Sequence, residues 1–181
     1  MWRPWGPGHG FAFAEEMGGL TTAAYGAVVV GRRVRSPLPT VRYGAFTQGA
    51  LGDALAEPAG LLVASLRLRA LLDAESRARI QYLPVRLQGL RKAFALANIL
   101  ESVDCFDRER SRFVEEPDTG GIWRLKKLVL KGVPEVGPEV FHLRGVDGVL
   151  VFKRRLRELV ENRCPSAGWF VPVSEFKIGY L

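Results

Sequence analysis

The chain has 181 residues, 48% hydrophobic and 25% charged, with 26 lysines and arginines against 19 acids for a formal charge of +7. That is the size and make-up of one soluble globular domain, or one plus an appendage, able to bury roughly 70% of its unfolded surface without a covalent staple. Two cysteines, Cys105 and Cys164, exclude a disulfide framework and a four-cysteine zinc site. No run approaches a membrane span and the Trp/Pro/Gly-rich first residues hold no apolar signal core, so a cytoplasmic protein is expected.

In chain order, residues 1–19 read as loop, because Pro4, Pro7 and several glycines interrupt any period. Residues 23–30, ending in Val28-Val29-Val30, fit a buried strand. Ser36-Pro37-Leu38-Pro39 is a turn or extended linker, and 49–60, with Leu51, Leu55 and alanines, predicts a short helix stopped by Pro58 and Gly60. Residues 61–73 then align with 149–161 without a gap, an offset of 88, and Leu83-Pro84-Val85 returns as Val171-Pro172-Val173 at the same offset. This predicts a duplicated strand–helix–strand unit over 61–87 and 149–175.

In each copy a strand end feeds a helix whose apolar stripe, Leu68, Leu71 and Leu72 or Leu156, Leu159 and Val160, has the spacing of one face. The following strands, 80–87 and 169–173, each contain a proline without a ladder donor, which favours an edge or a bulge, an edge being a place where another chain could dock. Between the copies, 94–106 reads as strand, 114–121 as an acidic turn, 122–130 as an imperfectly alternating strand and 140–143 as another. Short helices interspersed with strands, without long crossover helices, predict an α+β fold with a mixed or antiparallel sheet. Residues 1–60 form an N-terminal segment packed on a main domain at 61–181.

Few residues suggest catalysis. His142 sits in a strand pattern between Phe141 and Leu143 and reads as a sheet histidine with a hydrogen-bonded ring, His9 lies in the loose N-terminus, and Cys105 reads as a core residue and Cys164 as a free thiol in a loop. An enzyme would need His142 to converge with Asp104 or Asp107. Metal-ligand spacing is missing, and Asp107 and Ser111 suit turns and caps. Neither metal nor cofactor is expected.

One string does resemble a known family. Leu96-Ala97-Asn98-Ile99-Leu100, then Val103-Asp104-Cys105-Phe106-Asp107, then Glu109-Arg110-Ser111 is similar to the central motif of the eleventh immunity-protein family of bacterial polymorphic toxin systems. Downstream, Lys127-Leu128-Val129-Leu130, Val140-Phe141-His142-Leu143, Val149-Leu150-Val151, Leu156-Arg157-Glu158-Leu159 and Gly168-Trp169-Phe170-Val171-Pro172-Val173 keep the family's order, so the likeness spans 61–173. The final helix of the family opens after an acid or serine, whereas Phe152-Lys153 stands here. The resemblance implies a non-enzymatic protector that binds a co-encoded toxin and occludes it, with Asn98, Asp104, Asp107 and Ser111 as structural motif residues.

Charge placement supplies the candidate contacts. Segment 61–92 carries seven basic and two acidic residues, 144–181 carries seven and four, and seven acids meet three arginines over 101–118. Two basic lobes around an acidic belt suit a mixed protein-binding surface better than a nucleic-acid groove, although a basic nucleic-acid-binding module is the alternative reading. The candidate toxin contacts are Arg67, Arg69, Arg154, Arg155 and Arg157 on the helices and Glu109, Glu115 and Glu116 in the belt. Either an acidic toxin surface meets the basic lobes or a basic one meets the belt. A monomer is expected when free.

Overall fold

The computed structural model describes residues 1–3, 16–44, 51–55, 60–89, 91–118 and 120–178. The fold is α+β, as expected. Its largest sheet has six strands in the order β2 (Glu16–Gly18), β3 (Val41–Tyr43), β6 (Ile80–Leu87), β7 (Phe94–Ile99), β5 (Val63–Ser65), β4 (Ala54–Leu55). Only β3 and β6 run parallel in it. A second sheet joins β12 (Leu150–Phe152), β11 (Val140–Leu143) and β8 (Ser102–Val103), with β8 parallel to β11. Two antiparallel ribbons complete the strands: β9 (Arg112–Glu115) with β10 (Ile122–Lys127), and β1 (Trp2–Arg3) with β13 (Trp169–Phe170).

Alternation along the strands divides the core. Odd residues of β7, Ala97 and Ile99, join Ile80 and Tyr82 under helices α2 (Leu66–Glu75) and α3 (Arg154–Arg163), where Leu68, Leu72, Leu156 and Val160 are buried. Even residues, Phe94 and Leu96, face the opposite way with Val41, Tyr43 and Leu83, and helix α1 (Thr22–Val29) covers that side through Val28. Phe141, Val149 and Val151 on the far face of the small sheet build a third cluster with Cys105, Phe106 and Leu125.

The 23–30 segment is a helix, correcting the strand expectation. The signals that decide it flank the valine run. Thr21 caps the start, its Oγ1 accepting from Ala24 N at 3.2 Å. Gly31 ends it at φ +69°, with Arg32 N donating to Ala27 O at 2.7 Å and Gly31 N to Val28 O at 3.1 Å. Those two bonds are a Schellman motif, which satisfies the last carbonyls. Two further expectations also differ. Ala54–Leu55 is a strand pairing with β5 rather than part of a helix, the flanking 45–50 and 56–59 lying outside the described residues. Within 1–19, β1 and β2 interrupt the expected loop, with 4–15 outside the described residues.

Strand β6 is interior, not an edge. Gln88 N donates to Tyr43 O at 3.0 Å, so the even residues of β6 point their amides towards β3 and the odd ones towards β7. Pro84 therefore lacks a donor only on the β3 side, one residue before the first parallel partner pair, Val41 and Val85. A proline fits there at no loss of ladder bonds.

The two aligned segments share their entry. In each, a strand runs directly into a ten-residue helix, and Leu68 and Leu156 are both buried. They part after it. The eight-residue β6 lies inside the large sheet, while β13 has two residues, pairs with β1 and ends before Pro172 opens a 3-10 turn at Val173–Glu175. The third element of the expected duplication therefore has no common path. Cys164 is a free thiol just past the end of α3, as expected, and is buried in the core under the helices, where burial raises its thiol pKa.

Asn98 and Gln81 are register partners on the α1 side of the large sheet, and both are buried. Asn98 Nδ2 donates to Arg32 O at 2.8 Å and to Gln81 Oε1 at 3.2 Å. Gln81 exchanges two 2.8 Å bonds with the backbone of Val34. The two amides thus pin residues 32–34, which follow α1, to the centre of the sheet. Asn98→Ala should leave the Arg32 carbonyl short of its donor and lower unfolding free energy by about 2 kcal/mol in a urea titration.

Candidate functional site

The five candidate arginines lie on α2 and α3, and three of them hold carboxylates of those same helices. Arg155 pairs with the Glu75 carboxylate, and its Nη1 donates to the Glu75 carbonyl at 3.2 Å, closing the end of α2 onto α3. Arg163 Nη1 reaches the same carboxylate at 3.9 Å. Arg157 stands 3.5 Å from Glu158 and 3.4 Å from Glu161. Arg69 is 3.6 Å from Asp73 and lies over the Tyr82 ring at 4.3 Å. Tyr82 in turn donates its hydroxyl to Asp73 at 2.7 Å, and burial and then that carboxylate raise its pKa. Arg67 and Arg154 are exposed and form no ion pair among the described residues.

The acidic candidates surround the β9–β10 ribbon. Glu115 pairs with Arg108, whose guanidinium stacks 4.8 Å from the Phe113 ring centre. Glu109 and Glu116 are exposed, as is Asp104. Asp107 and Ser111 spend their polar atoms locally. Asp107 Oδ1 accepts from Arg110 N at 3.0 Å, Asp107 O accepts from Ser111 N at 3.0 Å, and Ser111 Oγ accepts from Val129 N at 3.0 Å. The turn at 107–111 is thereby fastened to Val129. Neither Asp104 nor Asp107 lies among the residues lining the His142 concavity described below.

A basic cluster that the sequence reading did not single out lies where β3 and β6 end. Arg42 and Arg86 are direct partners in the parallel ladder, both exposed on the face that carries α2 and α3. Arg91 and Lys92, just before β7, join them around two overlapping concavities of about 710 and 560 Å³. Along the same face of β6 come Tyr82, Pro84 and Arg86, so the cluster continues towards Arg69. None of these four cations forms an ion pair among the described residues. Such an excess of cations at one rim favours an anionic partner. The signal was absent from the sequence because Arg42 and Arg86 belong to different charge segments until the register brings them together.

Among the described residues no helix is long and apolar enough to cross a membrane, and no group of three or more His, Cys, Asp or Glu is placed to hold a metal. The chain is an α+β protein with a basic rim where β3 and β6 end. No protein-family model matches the chain, and no curated protein does.

Proposed function

We propose that the chain is an immunity protein that binds a co-encoded bacterial toxin in the cytoplasm and neutralises it by non-covalent occlusion. The resemblance over 61–173 supplies the class. The observation that carries the surface is the opposed Arg42 and Arg86 with Arg91 and Lys92 around one concavity and no carboxylate paired to them among the described residues. Between the two modes left open by charge placement, an acidic toxin surface meeting the basic side is favoured. Glu115 of the belt is already paired with Arg108, whereas the concavity's cations are uncompensated.

The test is co-expression with the product of the adjacent open reading frame, followed by calorimetry of the pair. Protection and binding support the reading; a neighbour that is harmless without this chain overturns it. Arg42→Glu separates binding from folding. It reverses one exposed charge, so stability should change by less than about 0.5 kcal/mol, while toxin affinity falls about tenfold or more, mostly through slower association at low salt. A steep salt-dependent affinity for DNA or RNA that matched or exceeded the affinity for the toxin would favour the nucleic-acid reading instead.

A further inference from the structure

On the other side of the large sheet a third concavity, of about 410 Å³, opens between the end of α1 and the turn that joins β11 to β12. Gly31, Arg32, Ser102, His142, Arg144 and Asp147 line it. Its walls are fixed. Arg32 is held through its carbonyl by Asn98, and Gly148 N donates to Val29 O at 3.2 Å across the α1 end. Ser102 and His142 are register partners, with His142 N donating to Glu101 O at 2.8 Å and Arg144 N to Val103 O at 3.0 Å.

The imidazole explains what this concavity lacks. His142 is 7% exposed, and its Nδ1 is sealed from solvent without a hydrogen bond. Burial holds the ring neutral, with a pKa lowered to about 4. A neutral imidazole carries one N–H and one lone pair. A sealed, unpartnered lone pair is tolerated better than a sealed, unpartnered N–H. The proton therefore sits on Nε2, the ring nitrogen that is not sealed, and can be donated to a bound acceptor. Gly31 leaves no room for a side chain beside Cδ2 of the ring, where an added Cβ would lie 2.6 Å away.

The neighbours on the rim are donors as well. Arg32 and Arg144 are exposed and form no ion pair among the described residues, and Ser102 adds a hydroxyl. Among the described residues Asp147 is the one carboxylate in the lining, leaving the two arginines in excess. We propose that this concavity binds a small oxyanion, the phosphate or carboxylate of a small molecule, between Arg32, Arg144, the Ser102 hydroxyl and His142 Nε2–H. The site is separate from the basic cluster at Arg42 and Arg86 and does not depend on the toxin-binding reading.

Titration of the full chain with inorganic phosphate and, separately, acetate tests it, read by the imidazole nitrogen resonances of His142. A saturable shift of Nε2 is expected with a dissociation constant of about 1 mM for the better anion, and the arm that saturates first identifies the ligand chemistry. Arg144→Ala and Ser102→Ala should each weaken binding about tenfold. Asp147→Asn should tighten it about threefold, and Arg42→Glu, on the other surface, should leave it unchanged. Ser102→Ala and Arg144→Ala alter groups on the rim, so their folding can be checked by the unchanged amide spectrum of the core. No saturable Nε2 shift with either anion, or equal affinity in wild type and Arg144→Ala, would overturn the proposal.

Discussion

Replacing Gly31 by alanine should lower the unfolding free energy by about 3 kcal/mol, the joint effect of a left-handed backbone and two contacts with nowhere to go. Gly31 has φ +69°, the conformation that lets the Schellman bonds close α1. A side chain there is strained before any neighbour is considered. A Cβ at this position would also lie 2.6 Å from His142 Cδ2 and 2.7 Å from the backbone oxygen of Ile99. Neither neighbour is the loose end of a flexible chain: His142 is a buried ring and Ile99 O belongs to β7. Relief requires moving the end of α1 away from the sheet, which stretches the Asn98 bond to Arg32 as well. Gly26 is the control. It lies inside the same helix with open space where its Cβ would be, so Gly26→Ala should stabilise by about 1 kcal/mol. Guanidinium unfolding of both variants measures the contrast; a Gly31→Ala protein as stable as the wild type would show that the α1 end is not wedged against β7 and β11.

The same residue shows why parts of the fold were legible and parts were not. Strands such as Ile80–Leu87, Phe94–Ile99 and Val140–Leu143 announce themselves because apolar runs of that length, bounded by turn residues, leave few alternatives. The helical phase of Leu68, Leu71 and Leu72 is equally plain, because one stripe must face a core. Val28-Val29-Val30 misled because β-branched residues favour strands by local packing, a preference that capping and burial on a sheet outweigh. Thr21 and Gly31, which decide the matter, stand just outside the apolar window. Pro84 misled differently: an edge was inferred from a missing donor, but only one side of a strand loses it, and that side faces the start of β3.

The charged surfaces were legible as segments and not as sites. Segment counts found basic lobes, yet Arg155 and Arg157 are occupied by Glu75, Glu158 and Glu161, groups close on the same helices. The uncompensated pair, Arg42 with Arg86, exists only through a parallel register between strands far apart in sequence. His142 was legible as a sheet histidine, but its Nδ1 lacks the bond expected of the ring, and the groups around it, Arg32, Ser102 and Arg144, come from three separate stretches of chain.

That histidine should also make the protein sensitive to mild acid. Its pKa is lowered from 6.5 to about 4 by burial, so the unfolded chain takes up the proton first as pH falls. The stability associated with the neutral ring is complete above the unfolded value near 6.5. It declines between there and about pH 4 and is lost below, a total of about 3 kcal/mol for a shift of this size. Carboxylates contribute in a lower window; Glu101, held down chiefly by its hydrogen bond to Arg79, loses its contribution only near and below its ordinary range. The interval from pH 6.5 to 5 therefore isolates the imidazole, because the second histidine, His9, is common to wild type and variant. His142→Gln keeps a polar side chain and removes the titration. Its unfolding free energy, measured by urea denaturation at half-unit steps, should be lower than wild type at pH 7 but nearly flat down to pH 5, so that the two curves converge as the wild type weakens. Parallel curves through that interval would mean that His142 titrates alike in the folded and unfolded chain, and that the ring is not sealed between Gly31 and the small sheet. Anion binding sharpens the same measurement. An oxyanion accepting from Nε2–H would favour the proton on that nitrogen whether the ring is neutral or charged, and would favour the charged form more, so saturating phosphate should raise the folded pKa and shallow the acid slope.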